Sequence, residues 1–273
     1  MLSRKGANKI IKNHTYGTFF AGIIYNAGGA FMPPKYKYIL RSILKTNKKI
    51  TRFISAQKVI SAFSLLICSF MLSLTVHAHS IPRSVVFFGD STTAHLAVRG
   101  GIPKDQVWSG AESTVRFTDV NTGKCVHLSS GEDLSLAQAV RKIKPATLVI
   151  TLGVSGGAGV LSEKDFKAIY SRMLLSVKEA SPATKIYVQS ILPLSDKSVK
   201  YYKKITKESV VEANRWIKEV CTSLGVPYIN THDLLTDANG YLKEEYQNDE
   251  YMHLTAKAYE VILSNVGKTI ANN

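Results

Sequence analysis

No acidic residue occurs before Asp90 in this chain of 273 residues, although residues 1–58 carry 12 Lys or Arg. The formal net charge of +15 therefore belongs mostly to a tail, because residues 59–273 hold 23 basic against 20 acidic side chains. A nucleic-acid partner needs a basic stripe on the folded part, so none is expected. Cysteine is scarce: three residues are too few for a disulfide scaffold, and no C-x-x-C pair suggests a zinc site. The phosphate-cradling G-x-G-x-x-G and Walker A patterns and the zinc-binding H-E-x-x-H are all missing, so neither a cofactor nor a metal is expected. What remains, 45% hydrophobic and 20% charged residues, suits a packed globular core.

Charge of either sign vanishes between Val59 and Ala78, a run of 20 residues. As a helix this run would rise about 30 Å, enough to cross a bilayer core. Positive charge precedes it, which predicts residues 1–58 on the cytoplasmic side and the chain after 78 outside. Val76 and Ala78 place small residues where a signal peptide is cut, so a cleaved signal and an uncleaved anchor both fit. The length of the basic stretch favours an anchor, or initiation at Met32. A buried core helix is the alternative for the run. Three segments are thus expected: 1–58 as a basic tail, 59–78 as signal anchor or signal peptide, and 79–273 as the functional domain. Export would put Cys125 and Cys221 in an oxidising compartment, where pairing and two buried free thiols are both open.

From Ser84 onward strands and helices alternate. Ser84–Phe88, Thr147–Leu152, Lys185–Leu192 and Pro227–Asn230 read as buried strands. Leu134–Ile143 has helical spacing, and Ser162 with Asp165 forms a capping signal for a helix to about Ala180, with Phe166, Ile169, Met173 and Val177 on one face. Lys207–Leu224, closed by Gly225, and Thr255–Ile270 complete the set. The alternation predicts an α/β fold, a three-layer α/β/α sandwich with a mainly parallel central sheet. Ligands of such sheets sit beyond the carboxyl ends of the strands.

Three of those ends carry suitable chemistry: Gly89-Asp90-Ser91, Gly153-Val154-Ser155-Gly156-Gly157, and Asp249-Glu250-Tyr251-Met252-His253. A serine hydroxyl becomes a nucleophile at neutral pH when an imidazole takes its proton and a carboxylate fixes the imidazole. Ser91, His253 and Glu250 could supply the three groups. The blocks resemble the SGNH/GDSL hydrolase family over residues 84–268. The resemblance implies a flavodoxin-like sheet, Ser91 as nucleophile, His253 as base, and the backbone N–H of Gly110, in Val107–Thr114, as an oxyanion donor. Together with export, it also implies acyl ester substrates, O-acetyl groups on envelope or environmental carbohydrate first among them. Where the family has an oxyanion asparagine this chain has Ser155, and where it has aspartate three residues before histidine this chain has Glu250, with Asp249 the other candidate orienter. An O-acyltransferase and a non-catalytic glycan-binding module are the alternative functions.

A competing pattern uses the same segment. Gly153-Val154-Ser155-Gly156-Gly157 satisfies G-x-S-x-G, with Asp233 and His253 following in order, but that motif needs a helix to start at the serine. Other residues have plainer readings. His95 is expected to pack at the rim; Trp108 and Tyr251 belong to core or rim, with stacking on a sugar as the alternative. The lysine- and tyrosine-rich Ser195–Lys207 reads as a solvated loop that could hold an anionic polymer.

Overall fold

Apolar runs at Val85–Gly89 (β1), Thr147–Thr151 (β5) and Lys185–Gln189 (β6) form the centre of a five-stranded sheet in the computed structural model. The structure describes residues 81–273, together with Ser42 and Lys45. The rest of the expected basic tail and the whole run 59–78 lie outside the described residues, and among these no helix is long and apolar enough to cross a membrane.

The remaining strands are short. Val107–Trp108 (β2) and Tyr228–Ile229 (β7) form the edges, and the order is β2-β1-β5-β6-β7, every pairing parallel. Val126–His127 (β3) and Asp133–Leu134 (β4) make a separate antiparallel pair. Side chains alternate across a strand, so each central strand feeds two cores. Val86, Phe88, Leu148, Ile150 and Val188 face one layer; Val85, Phe87, Val149 and Tyr187 face the other. The expected three-layer arrangement with a mainly parallel sheet is therefore present.

Seven helices within residues 81–273 cover the sheet: α1 Ser91–Ala94, α2 Leu96–Arg99, α3 Leu136–Ile143, α4 Glu163–Ala180, α5 Lys207–Ser223, α6 His232–Leu235 and α7 Ala256–Ala271. Helices α3, α4 and α5 pack on the first face, while α2, α6 and α7 pack on the second. Their ends are set locally. Ser162 accepts the Asp165 N–H to start α4, and Thr206 and Ser209 form a reciprocal cap on α5. Gly225, at φ 61°, takes the left-handed turn that ends α5. Of the helix face predicted from the sequence, Phe166, Met173 and Val177 are buried and Ile169 packs at the margin of the core. Cys125 and Cys221 are both buried and free.

The junction of β1 with α1 is held closely on several sides. Gly89 lies opposite Thr151 in register, so near that a Cβ would meet the Thr151 carbonyl oxygen at 2.1 Å. Asp90 then caps α1, its carboxylate accepting from the Thr92 N–H (3.1 Å) and hydroxyl (2.8 Å). From α7 the Tyr259 hydroxyl donates to the Thr92 carbonyl at 2.7 Å. Burial pushes the Asp90 carboxyl above its ordinary 3.8, although both Thr92 donors pull it back.

Gly89→Ala forces a methyl against backbone that cannot withdraw, and should lower the unfolding free energy by about 2–3 kcal/mol. A loss under about 0.5 kcal/mol in urea unfolding would mean that the junction is loose. Asp90→Asn keeps the capping oxygen but does not titrate. A carboxyl whose pKa is raised by folding contributes stability below its unfolded value and loses that contribution as pH rises through the folded one. The variant should therefore gain on the parent protein as pH rises above the ordinary carboxylate value of 3.8, read as a Tm difference that grows with pH. A difference that stays flat or shrinks contradicts the burial of this carboxylate.

Candidate active site

Ser91 leaves the buried sheet at the first position of α1, beside the point where strand order reverses between β1 and β5. That reversal opens a crevice in sheets of this topology. A small cavity there brings together Asp90, Thr151, Val154, Ile191 and Met252, from the ends of three strands and from the loop before α7.

The loop before α7 carries the second group. Gln247 and Leu254 pair as an antiparallel bridge, and the Asn248 N–H donates to the His253 carbonyl at 2.9 Å, closing a short excursion. Asp249 organises its interior. Oδ1 accepts the N–H of Tyr251 at 2.9 Å and of His253 at 3.2 Å, a turn that a short carboxylate side chain makes readily. Oδ2 of the same carboxylate meets His253 Nδ1. With the Nδ1–H of His253 donated to Asp249, the Nε2 lone pair faces outward, and Ser91 Oγ lies 3.1 Å from it across 162 residues of chain. Burial raises the Asp249 carboxyl, but the Tyr251 N–H, the His253 ring and the His253 N–H together hold it below the ordinary value.

Glu250, the orienter expected from spacing, is elsewhere. Its carboxylate accepts the Tyr201 hydroxyl at 2.7 Å and faces the ammonium groups of Lys197 and Lys200, both at 4.0 Å. The physical reason is local. The turn closed by Asp249 places its own carboxylate inward, and the next side chain points away. Asp249 thus takes the position expected of Glu250. Nothing in the spacing selects it, but an Asp able to close a turn onto the residue two places on was a legible signal.

The expected oxyanion donors are less complete. The Gly110 N–H donates to the Thr114 carbonyl at 3.2 Å, inside a tight loop in which the Ser113 N–H also returns to the Gly110 carbonyl at 2.8 Å. In this geometry the Gly110 N–H, expected as an oxyanion donor, is engaged by Thr114. The Ser91 N–H, in the first turn of α1, has no acceptor in the helix ladder. Ser155 sits in the loop after β5, its carbonyl taken by the Phe117 N–H at 2.8 Å and its hydroxyl without a hydrogen-bond partner among the described residues. Phe117 in turn packs on Phe166 at 4.5 Å between ring centroids, which anchors that loop to the core. The competing G-x-S-x-G reading fails on context, because the next helix, α4, begins only at Glu163.

His95 was legible only as a rim residue. Its ring meets the His253 ring edge-on at 4.6 Å, and burial, then the charges of His253 and Arg99, push its pKa below the ordinary 6.5. It therefore bounds the His253 imidazole as a neutral neighbour. Trp108 is fully buried in the core and cannot stack on a ligand. No cluster of His, Cys, Asp and Glu suited to a metal ion occurs among the described residues.

No curated protein matches the chain. Solved structures share its fold. A Streptococcus pneumonia protein provisionally described as a platelet activating factor superposes with a TM-score of 0.52 at 18% identity, over 77% of this chain and 99% of its own. A GDSL-like lipase from Bacteroides thetaiotaomicron gives 0.51 at 15% identity, over 75% and 96%. A carbohydrate esterase family 3 protein from Talaromyces cellulolyticus gives 0.46 at 16%, over 69% and 96%. Residues 87–261 match the family described as GDSL-like lipase/acylhydrolase, and they take in the end of β1, Ser91, the Asp249 loop and His253. The chain belongs to the GDSL-like lipase/acylhydrolase family and is an ester-hydrolysing enzyme.

Proposed function

We propose that the chain is a serine esterase in which Ser91, His253 and Asp249 act as one unit on acyl esters of carbohydrate, O-acetyl esters first. The observation that carries this reading is the continuous path from Asp249 Oδ2 through both ring nitrogens of His253 to Ser91 Oγ. Asp249, held ionised by its hydrogen bonds, keeps the imidazole in the tautomer that can accept a proton at Nε2. As Ser91 Oγ attacks the ester carbonyl, its proton passes to Nε2 and the carbonyl oxygen takes up negative charge. The Ser91 N–H at the start of α1 supports that charge, with the Ser155 hydroxyl as the second donor. His253 then protonates the leaving alcohol, and water repeats the sequence on the acyl-enzyme. The uncharged run 59–78 supports a place outside the cytoplasm, and the substrate class rests on the resemblance to SGNH/GDSL hydrolases together with that location.

Ser91→Ala should lower kcat for p-nitrophenyl acetate by about 10⁴-fold or more. Turnover that survives this change but disappears in Ser155→Ala would move the nucleophile to the β5 loop and end the reading. Asp249→Asn should cost about 10³–10⁴-fold, because the amide favours the wrong tautomer. Glu250→Gln, which disturbs only exposed pairs, should stay within about threefold of the parent enzyme. The reverse ranking in steady-state kinetics would return the orienting role to Glu250.

A further inference from the structure

The segment after β6 carries a pattern that the chemistry above does not use. Ser195–Lys207 holds five lysines beside Tyr201 and Tyr202. Its first turn, Asp196–Lys200, lies against the loop that bears Asp249 and His253. The Ser195 N–H donates to the Tyr251 carbonyl at 3.1 Å, and the Ser195 hydroxyl to Gln247 at 3.0 Å. Tyr201 and Tyr251 meet with ring centroids 4.1 Å apart and planes at 34°, and Tyr202 closes edge-on at 6.3 Å. Neither Tyr201 nor Tyr251 serves the core, since they are 44% and 39% exposed. The Tyr201 hydroxyl donates to Glu250, which Lys197 and Lys200 flank.

The position of this platform matters. Tyr251 stands between Asp249 and His253 in the chain, so its Cα is within about 7 Å of that of His253. The departing alcohol takes its proton from His253 and must therefore leave on that side of the site. Around the two aromatic faces lie a phenol, a carboxylate and ammonium groups. A ligand that suits such a surface has an apolar face and a hydroxylated edge, as a pyranose ring does. An alkyl chain would cover the same rings but leave the polar rim without partners.

We propose that Tyr201 and Tyr251 form a stacking subsite for a pyranose ring of the alcohol part of the substrate. The proposal rests on the serine-esterase reading and adds to it the residues that select a sugar. Tyr201 is the position to vary, because Tyr251 shares the turn that holds Asp249. The test compares acetylated xylo-oligosaccharides with vinyl acetate, which has no ring to stack, on the full-length chain. In Tyr201→Ala, kcat/KM for the saccharide relative to vinyl acetate should fall about tenfold, with the loss in KM, whereas Tyr201→Phe should keep the ratio within about twofold of the parent. Equal losses on both substrates, an unchanged ratio, or a loss in Tyr201→Phe as large as in Tyr201→Ala would each overturn the subsite. Turnover of vinyl acetate with none of any acetylated saccharide would overturn it and leave the esterase reading standing. Turnover of neither would remove both.

Discussion

One carboxylate holds the two halves of the site together. Asp249 accepts two backbone N–H groups of its own loop and also meets the imidazole of His253, so the bonds that shape the turn are the bonds that aim the ring. The hydrogen bond from the Ser91 hydroxyl to His253 then joins segments 162 residues apart. Such a long-range contact is only as good as the frame that carries each end. At one end the frame is the β1–β5 register with Gly89 against Thr151; at the other it is the Gln247–Leu254 bridge leading into α7. Tyr259 of α7 reaches back to the Thr92 carbonyl, so the two ends are also tied behind the site.

Burying the sheet on both faces provides that rigidity. Alternate residues of β1, β5 and β6 enter two separate cores, so neither face can shift without disturbing packed side chains on the other. The exposed ion pairs between α4 and α5, among them Arg215 with Glu163, add little by comparison, because solvent screens them. The cost of the arrangement appears at Asp90. Its carboxylate is buried to cap a four-residue helix, and desolvation raises its pKa even with both Thr92 donors in place. That cap positions Ser91 directly after the strand, with its hydroxyl 3.1 Å from His253 Nε2.

Much of this was legible in the residues, and the parts that were not have physical causes. The central strands β1, β5 and β6 announce themselves as short apolar runs closed by turn residues, and α4 by Ser162 and Asp165. The edge strand β2 does not, since two residues following a 3-10 turn carry no periodicity. Helix α3 begins two residues later than its spacing suggests, because Ser135 and Gln138 cap it reciprocally. Ser91 and His253 follow from chemistry and order. Asp249 does not, because spacing alone points to Glu250, and the loop has room for one more residue than the family pattern provides. At Gly110 a hydrogen bond to Thr114 that no sequence pattern specifies occupies the N–H.

The central claim is that Ser91 is the activated serine of this chain. Incubating the folded full-length protein with a fluorophosphonate, then mapping its peptides by mass spectrometry, tests it most directly, since only a serine with a working base reacts quickly. A single adduct on Ser91 is the predicted result. An adduct on Ser155, or none on any serine of the folded protein, would contradict the account.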